Sequence, residues 1–116
     1  MGFCFGGKLA YLMATRTEAD CNVSYYGVGI EGMLGEKDNI KKPLLMHIAE
    51  KDGFVPRAAQ EKIITGLRGN KSVEIHTYSG LDHAFTRIGG KNYDDEAAKL
   101  AHGRTADFFA KNLRRS

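Results

Sequence analysis

The sequence has no tryptophan and only two prolines and two cysteines among its 116 residues. Cys4 and Cys21 are too few for the disulfide framework of a small secreted domain, so a reduced, cytoplasmic setting is expected. No apolar run approaches the roughly 20 residues of a membrane-spanning helix. No charged leader precedes an apolar segment, so no signal peptide is predicted. No Cys/His pair has the spacing of metal ligands, and no metal site is predicted.

The net charge is also small. The formal net charge is +3, from 17 basic and 14 acidic residues. The basic residues are spread along the chain, and the cluster Lys111, Arg114 and Arg115 complements the dipole at the end of the last predicted helix. Nucleic-acid binding is therefore not favoured. With 42% hydrophobic and 27% charged residues, the composition is typical of a globular protein with one domain at most.

Hydrophobic periodicity predicts alternating helices and strands. The first helix carries Leu9, Leu12 and Met13 on one face, which is expected to be buried. The continuous apolar run 43–49 is typical of a strand buried on both faces in a parallel sheet. The predicted elements are helix 7–17, strand 22–26, a loop 30–42 with one helical turn, strand 43–49, helix 56–67, strand 72–78 and helix 93–113. This order predicts an α/β fold, with a mostly parallel sheet of about three strands and flanking helices.

A cysteine lies between glycines just before the first helix, in Gly2-Phe3-Cys4-Phe5-Gly6. This G-x-nucleophile-x-G pattern is typical of a nucleophile elbow, the turn between a central strand and a helix. So few residues precede Cys4 that the elbow strand is expected to be missing. A side chain at Gly6 is expected to crowd the neighbouring backbone. The amide of Phe5 is the expected half of an oxyanion hole.

Asp52 and His83 each follow a predicted strand, at the sheet edge where α/β proteins bind ligands. The order Cys4, Asp52, His83 is the nucleophile, acid, histidine order of α/β-hydrolases. A thiol attacks as the thiolate, an imidazole can take its proton, and a buried carboxylate fixes the imidazole tautomer. Each residue alone has a simpler interpretation: a core cysteine, an Asp-Gly turn and a surface histidine. The combination favours a catalytic triad.

The same amino-terminal residues allow a second interpretation. The stretch from Gly2 to Lys8 reads G-x-x-x-x-G-K, the beginning of a phosphate-binding P-loop. The next residue is Leu9, where that motif needs Ser or Thr to hold magnesium. A nucleotide-binding function is therefore only weakly supported.

Several segments together resemble the dienelactone hydrolase family, the carboxymethylenebutenolidases, over nearly the whole chain. The resemblance implies a partial α/β-hydrolase fold in which residues 1–116 form the carboxyl-terminal part of the domain. It also implies a thiol hydrolase that opens the lactone ring of dienelactones to give maleylacetate, without metal or organic cofactor. The segments that carry it are Gly2-Phe3-Cys4-Phe5-Gly6-Gly7, Tyr25-Tyr26-Gly27-Val28-Gly29, Asp52-Gly53-Phe54-Val55-Pro56, Asp82-His83-Ala84-Phe85-Thr86-Arg87 and Arg104-Thr105-Ala106-Asp107-Phe108.

The resemblance also assigns roles to the residues of the site. It makes Cys4 the nucleophile, His83 the general base and Asp52 the residue that orients the base. Arg87 is implied to hold a substrate carboxylate, for which its bidentate guanidinium is suited; a surface ion pair is the alternative. Tyr25 and Phe54 are implied to line the pocket, and core packing is the alternative for both.

Members of this family carry about as much chain again before the elbow. That part supplies a second oxyanion amide, a glutamate that helps to activate the cysteine, and a second carboxylate-binding arginine. Two functions therefore stay open. One is a hydrolase of a small lactone or ester. The other is a non-catalytic piece of that fold that self-associates as a homodimer through an exposed sheet edge.

Overall fold

The computed structural model describes residues 1–17 and 20–113. Its centre is a parallel sheet of four strands in the order β1-β2-β3-β4, which confirms the predicted α/β class. No helix in the described part of the chain is long and apolar enough to cross a membrane. The elements are β1 Gly2–Phe3, α1 Phe5–Arg16, β2 Asn22–Tyr25, a 3-10 segment Ile30–Asn39, β3 Leu44–Ala49, α2 Arg57–Leu67, β4 Val73–Tyr78 and α3 Asp95–Leu113.

The strand before the elbow is short but present, so the expectation that it is missing is wrong. Gly2 pairs with Ser24 and Phe3 with Tyr25 in a parallel ladder. The amide of Cys4 continues the ladder by donating to the carbonyl of Tyr25 at 3.1 Å. Two residues are too few to show a period, which is why the sequence pattern does not reveal this strand. The pairing places Cys4 at the carboxyl end of the sheet.

The 3-10 segment occupies most of the region predicted as a loop with one helical turn. Its first residue, Ile30, is buried in the core. The hydroxyl of Tyr11 on α1 donates to the carbonyl of Met33 at 3.1 Å. Polar and glycine-containing sequence does not predict this segment, because tertiary contacts with α1 and α2 hold it in place.

Helix α1 buries a different face from the one predicted. Ala10, Tyr11 and Ala14 are buried, whereas Leu9 is 47% and Met13 46% exposed. Leu12 does pack against the core. The cause is a close approach of backbones: a Cβ built on Gly7 would lie only 2.7 Å from the Cα of Gly27. Small residues at this contact let the helix lie directly on the end of β2, and that contact sets its rotation.

A hydrophobic core lies on each face of the sheet. Strand β3 is buried along its whole length, as expected for the inner strand of a parallel sheet covered on both faces. One core packs α1, α2 and the 3-10 segment against the sheet, and the other packs α3 and the segment before it.

Candidate active site

Cys4 lies in a strained turn between β1 and α1. Its φ of 56° and ψ of −120° are rare for a residue with a side chain, as an elbow requires. Its carbonyl accepts the amides of Gly7 at 2.9 Å and Lys8 at 3.4 Å. Those amides point into the turn, and a P-loop would need its backbone amides for phosphate. The phosphate-binding interpretation is therefore wrong.

The glycines of the elbow are needed for space, but not at the position predicted. A Cβ at Gly6 would meet nothing within 4 Å, so the expectation of crowding there is wrong. A Cβ at Gly2 would overlap the carbonyl group of Gly6, and one at Gly7 would lie 2.7 Å from the carbonyl oxygen of Tyr25. Glycine is therefore required at Gly2 in β1 and at Gly7, where α1 contacts the end of β2.

The structure brings Cys4, Asp52 and His83 together, as their order and spacing predict. Nε2 of His83 lies 3.0 Å from Sγ of Cys4. Nδ1 of His83 lies 2.8 Å from Oδ2 of Asp52. Asp52 is only 4% exposed, and its second oxygen accepts the amide of Phe54 at 2.8 Å. With a proton on Nδ1 alone, the imidazole would donate to Asp52 and accept Sγ–H from Cys4.

The electrostatics of the site favour the thiol over the thiolate. Burial and then the carboxylate of Asp52 raise the pKa of Cys4, while the Arg87 guanidinium acts in the lowering direction. Removal of water and a nearby negative charge both disfavour a second anion. A raised pKa favours the protonated thiol, and Nε2 of His83 lies within hydrogen-bond distance of it.

Asp52 lies on a loop held by a residue that the sequence analysis missed. Gln60 of α2 is 3% exposed. Its Nε2 donates to the carbonyls of Ala49 at 3.2 Å, Glu50 at 2.9 Å and Val55 at 2.9 Å. One amide group therefore joins the two sides of the loop that carries Asp52. The sequence does contain a signal for this role, because Gln60 is a polar residue next to Ala59 on the apolar face of the predicted helix 56–67.

Three further residues, also missed, support the His83 loop. Oδ1 of Asp82 accepts the amide of His83 at 2.6 Å. Nδ2 of Asn92 donates to the carbonyl of His83 at 3.0 Å. The ring of Tyr26 meets the imidazole edge-on, with centroids 5.2 Å apart. Asp82 and Tyr26 stand inside segments that carry the family resemblance, but only the fold shows that they contact His83.

An open cleft of about 440 Å³ lies beside His83, lined in part by Phe54, Arg87 and Asn92. Phe54 is 68% exposed, and its ring centroid lies 4.8 Å from that of His83. Arg87 is exposed and makes no ion pair with any residue that the structure describes. Neither of the simpler interpretations, core packing for Phe54 and an ion pair for Arg87, fits these positions.

Tyr25 lies away from the cleft. Its side chain is fully buried, and its hydroxyl lies 2.6 Å from Oγ1 of Thr105 and 2.8 Å from Nδ1 of His102. These partners belong to α3, and Tyr25 is not among the residues that line the cleft beside His83. The pocket-lining role is therefore wrong for Tyr25, and the packing interpretation is the correct one. Its neighbour Tyr26 lies just after the strand, where a positive φ of 38° turns the chain and its ring meets His83.

The amide of Phe5 opens α1. Amides in the first turn of a helix have no acceptor within the helix, which makes this N–H available to an oxyanion next to Cys4. Among residues 1–17 and 20–113, no group of three or more His, Cys, Asp or Glu side chains is arranged to hold a metal ion.

The chain is similar to proteins of one known family. The family model described as the dienelactone hydrolase family matches residues 1–113. A protein of Azospirillum brasilense provisionally named carboxymethylenebutenolidase is 56% identical over 108 residues, which cover 93% of this chain and 47% of that protein. The carboxymethylenebutenolidase of Pseudomonas putida is 38% identical over 110 residues, covering 95% and 47%.

A solved structure from Klebsiella pneumoniae, provisionally titled a dienelactone hydrolase, superposes with a TM-score of 0.81 at 29% identity. The match covers 94% of this chain and 50% of that one. The chain thus spans about half the length of the relatives it matches. It belongs to the dienelactone hydrolase family.

Proposed function

We propose that this member of the dienelactone hydrolase family carries the thiol-based catalytic triad of a hydrolase of small esters or lactones. Cys4 is the nucleophile, His83 the general base and Asp52 the residue that orients His83. The observation that carries the proposal is the continuous contact from Sγ through the imidazole to the buried carboxylate, at 3.0 and 2.8 Å. This arrangement is the one that nucleophilic acyl transfer requires.

The proposed reaction has two stages. Sγ of Cys4 bonds to the carbonyl carbon while its proton passes to Nε2 of His83, and the carbonyl oxygen becomes an oxyanion near the Phe5 amide. The tetrahedral intermediate collapses, the ring or ester C–O bond breaks, and the leaving oxygen takes the proton from Nε2. Water then attacks the thioester, giving a proton to Nε2. The C–S bond breaks, and the departing sulfur regains that proton.

The cleft favours a substrate that carries a carboxylate. Arg87 is exposed there without an ion-pair partner among the described residues, so it is available for a bidentate contact. Phe54 provides an apolar surface beside His83. Such a site suits a dienelactone. The ring opening of a dienelactone releases an enol that rearranges to the ketone of maleylacetate. The Pseudomonas putida relative is named carboxymethylenebutenolidase, after a lactone of this kind.

A second candidate function is a non-catalytic partner that associates in the cytoplasm through β1. This strand pairs only with β2 in the described chain, and Met1 and Phe3 are 63% and 39% exposed. A strand edge with apolar side chains is a template for pairing with another strand. A homodimer through this edge predicts a dimeric sedimentation coefficient that Phe3→Lys converts to the monomeric one.

One experiment separates the two functions. The chain is mixed with p-nitrophenyl acetate, and acetylation of the Cys4 peptide is followed by mass spectrometry together with release of p-nitrophenol. The enzyme proposal predicts rapid acetylation of Cys4 that Cys4→Ala abolishes and Cys21→Ala leaves unchanged. Hydrolysis of a dienelactone then tests the substrate. A folded chain whose Cys4 is acetylated no faster than Cys21 contradicts the enzyme proposal.

A further inference from the structure

One carboxylate oxygen joins the two loops that carry the proposed acid and base. Oδ1 of Asp82 accepts the amide of Gly53 at 3.0 Å and the amide of His83 at 2.6 Å. Gly53 directly follows Asp52, and Asp82 directly precedes His83. The same atom therefore contacts the backbone next to the acid and the backbone of the base itself.

The charge of Asp82 suits this contact. The two amides that bond to its carboxyl group hold the pKa of Asp82 below its ordinary value. A carboxylate that accepts backbone amides forms bonds roughly twice as strong as neutral ones. The bridge is thus formed by the charged side chain, and it is present at neutral pH.

The two loops have other links, and these identify a matched control. The amide of Lys51 donates to the carbonyl of Leu81 at 2.8 Å. Oε1 of Glu50 accepts the amide of Gly80 at 3.1 Å. Glu50 thus makes the same kind of side-chain bridge between the same two loops, but at the ends of β3 and β4, before the residues of the triad.

We propose that Asp82 is a positioning residue that sets the separation of Asp52 and His83 by bridging their two loops. This inference rests on the proposed function. The Nδ1 to Oδ2 distance of 2.8 Å depends on where two separate loops place their side chains, and Asp82 is the side chain that contacts both beside the triad. Loss of the bridge lets the imidazole move away from Asp52, and small misplacements of reacting groups cost about 100-fold in rate.

The first test measures the rate of single-turnover acetylation of Cys4 by p-nitrophenyl acetate in three variants. Asp82→Ala is expected to slow acetylation by about 10- to 100-fold. Asp82→Asn keeps an oxygen acceptor of the same shape and is expected to restore most of the rate. Glu50→Ala removes a bridge without contact to the triad and is expected to leave the rate unchanged.

The second test does not depend on activity. The Nδ1–H proton shared with Asp52 is expected to give a far-downfield proton NMR signal, to be assigned by its loss in His83→Gln. Asp82→Ala is expected to broaden or remove this signal through faster exchange with solvent, whereas Glu50→Ala is expected to keep it. Circular dichroism establishes that each variant is folded.

The outcomes distinguish this inference from the proposed function. Rapid acetylation of the unaltered chain together with an unchanged rate and signal in Asp82→Ala overturns the positioning role alone. An equal loss in Asp82→Ala and Glu50→Ala also overturns it, because the effect is then one of general loop stability. Absence of acetylation in the unaltered chain overturns the proposed function, and the NMR signal still tests the bridge.

Discussion

The hydroxyl of Tyr26 lies 2.6 Å from Oγ1 of Thr86, and this buried contact joins the end of β2 to the loop of His83. Tyr26 adopts a φ of 38°, which is uncommon for a residue with a side chain. The turn points its ring at the imidazole and its hydroxyl at Thr86, so the two residues couple the strand beside the elbow to the proposed base.

This contact predicts a measurable coupling. Tyr26→Phe is expected to lower the free energy of unfolding by about 1 kcal/mol, the usual net value of such a hydrogen bond. Thr86→Val is expected to cost about 1 kcal/mol, because it removes the side-chain partner of the buried phenol. Urea unfolding of the single and double variants measures both costs. Additive costs in the double variant would contradict a direct interaction.

The charge environment of Cys4 predicts the direction of its titration. The unaltered thiol is expected to titrate above the ordinary cysteine value, because burial and Asp52 raise the pKa of Cys4. Arg87→Gln removes the group that acts in the lowering direction and is expected to raise this pKa further. Arg87→Lys keeps the positive charge and serves as control.

The measurement is the pH dependence of iodoacetamide alkylation of Cys4 in the Cys21→Ala background. Alkylation at neutral pH is expected to be slow in the unaltered chain and slower still in Arg87→Gln. Faster alkylation in Arg87→Gln would show that Arg87 does not act on Cys4 electrostatically.

Gln60 is predicted to stabilise the loop of Asp52. Gln60→Leu keeps a similar volume but removes the donor shared by three carbonyls. A loss of about 1–3 kcal/mol in the free energy of unfolding is expected, because buried acceptors are left without a donor. The control is Glu61→Gln, at an exposed ion pair with Arg57 that is worth about 0–1 kcal/mol. Equal effects of both substitutions would contradict the role given to Gln60.

His47 predicts acid sensitivity of the fold. It is 1% exposed, with Tyr78 and Thr105 within 2.8 Å of its two ring nitrogens. Burial, and then the charges of His76, Arg104 and His102, lower the pKa of His47 from 6.5 to about 3. Between pH 6.5 and about 3, His47 therefore binds a proton in the unfolded chain but not in the folded chain. Stability is expected to fall as the pH drops through this window, by up to about 1.4 kcal/mol per pH unit.

Urea unfolding at several pH values tests this expectation. His47→Gln cannot titrate, and its stability is expected to depend less on pH below 6.5. His76→Gln removes one cause of the lowered pKa but leaves the larger one, the burial of His47, so this variant should keep most of the acid sensitivity. An unaltered slope in His47→Gln would assign the effect to other groups.

The sequence predicted the parts of this protein that depend on local pattern. Alternation and apolar runs located β2, β3, β4 and the three helices, because periods of two and 3.6 residues are set by backbone geometry. Local pattern also selected Cys4, from the glycines of its elbow, and Asp52 and His83, because each follows a predicted strand at the edge where ligands bind. It did not reveal β1, whose two residues carry no period, or the 3-10 segment, which tertiary contacts stabilise.

What only the tertiary structure decided is which side chains meet. The close approach of Gly7 and Gly27 rotates α1 so that Tyr11, and not Leu9 or Met13, enters the core. Tyr25 contacts Thr105 and His102 of α3, and the positive φ of Tyr26 leaves its ring facing His83. Both outcomes depend on distances between elements that are far apart in the chain, and a local sequence pattern does not predict such distances. The three residues of the proposed triad were therefore predicted from the sequence. The residues that support them, Gln60, Asp82 and Asn92, were set by the packing of the loops around the site.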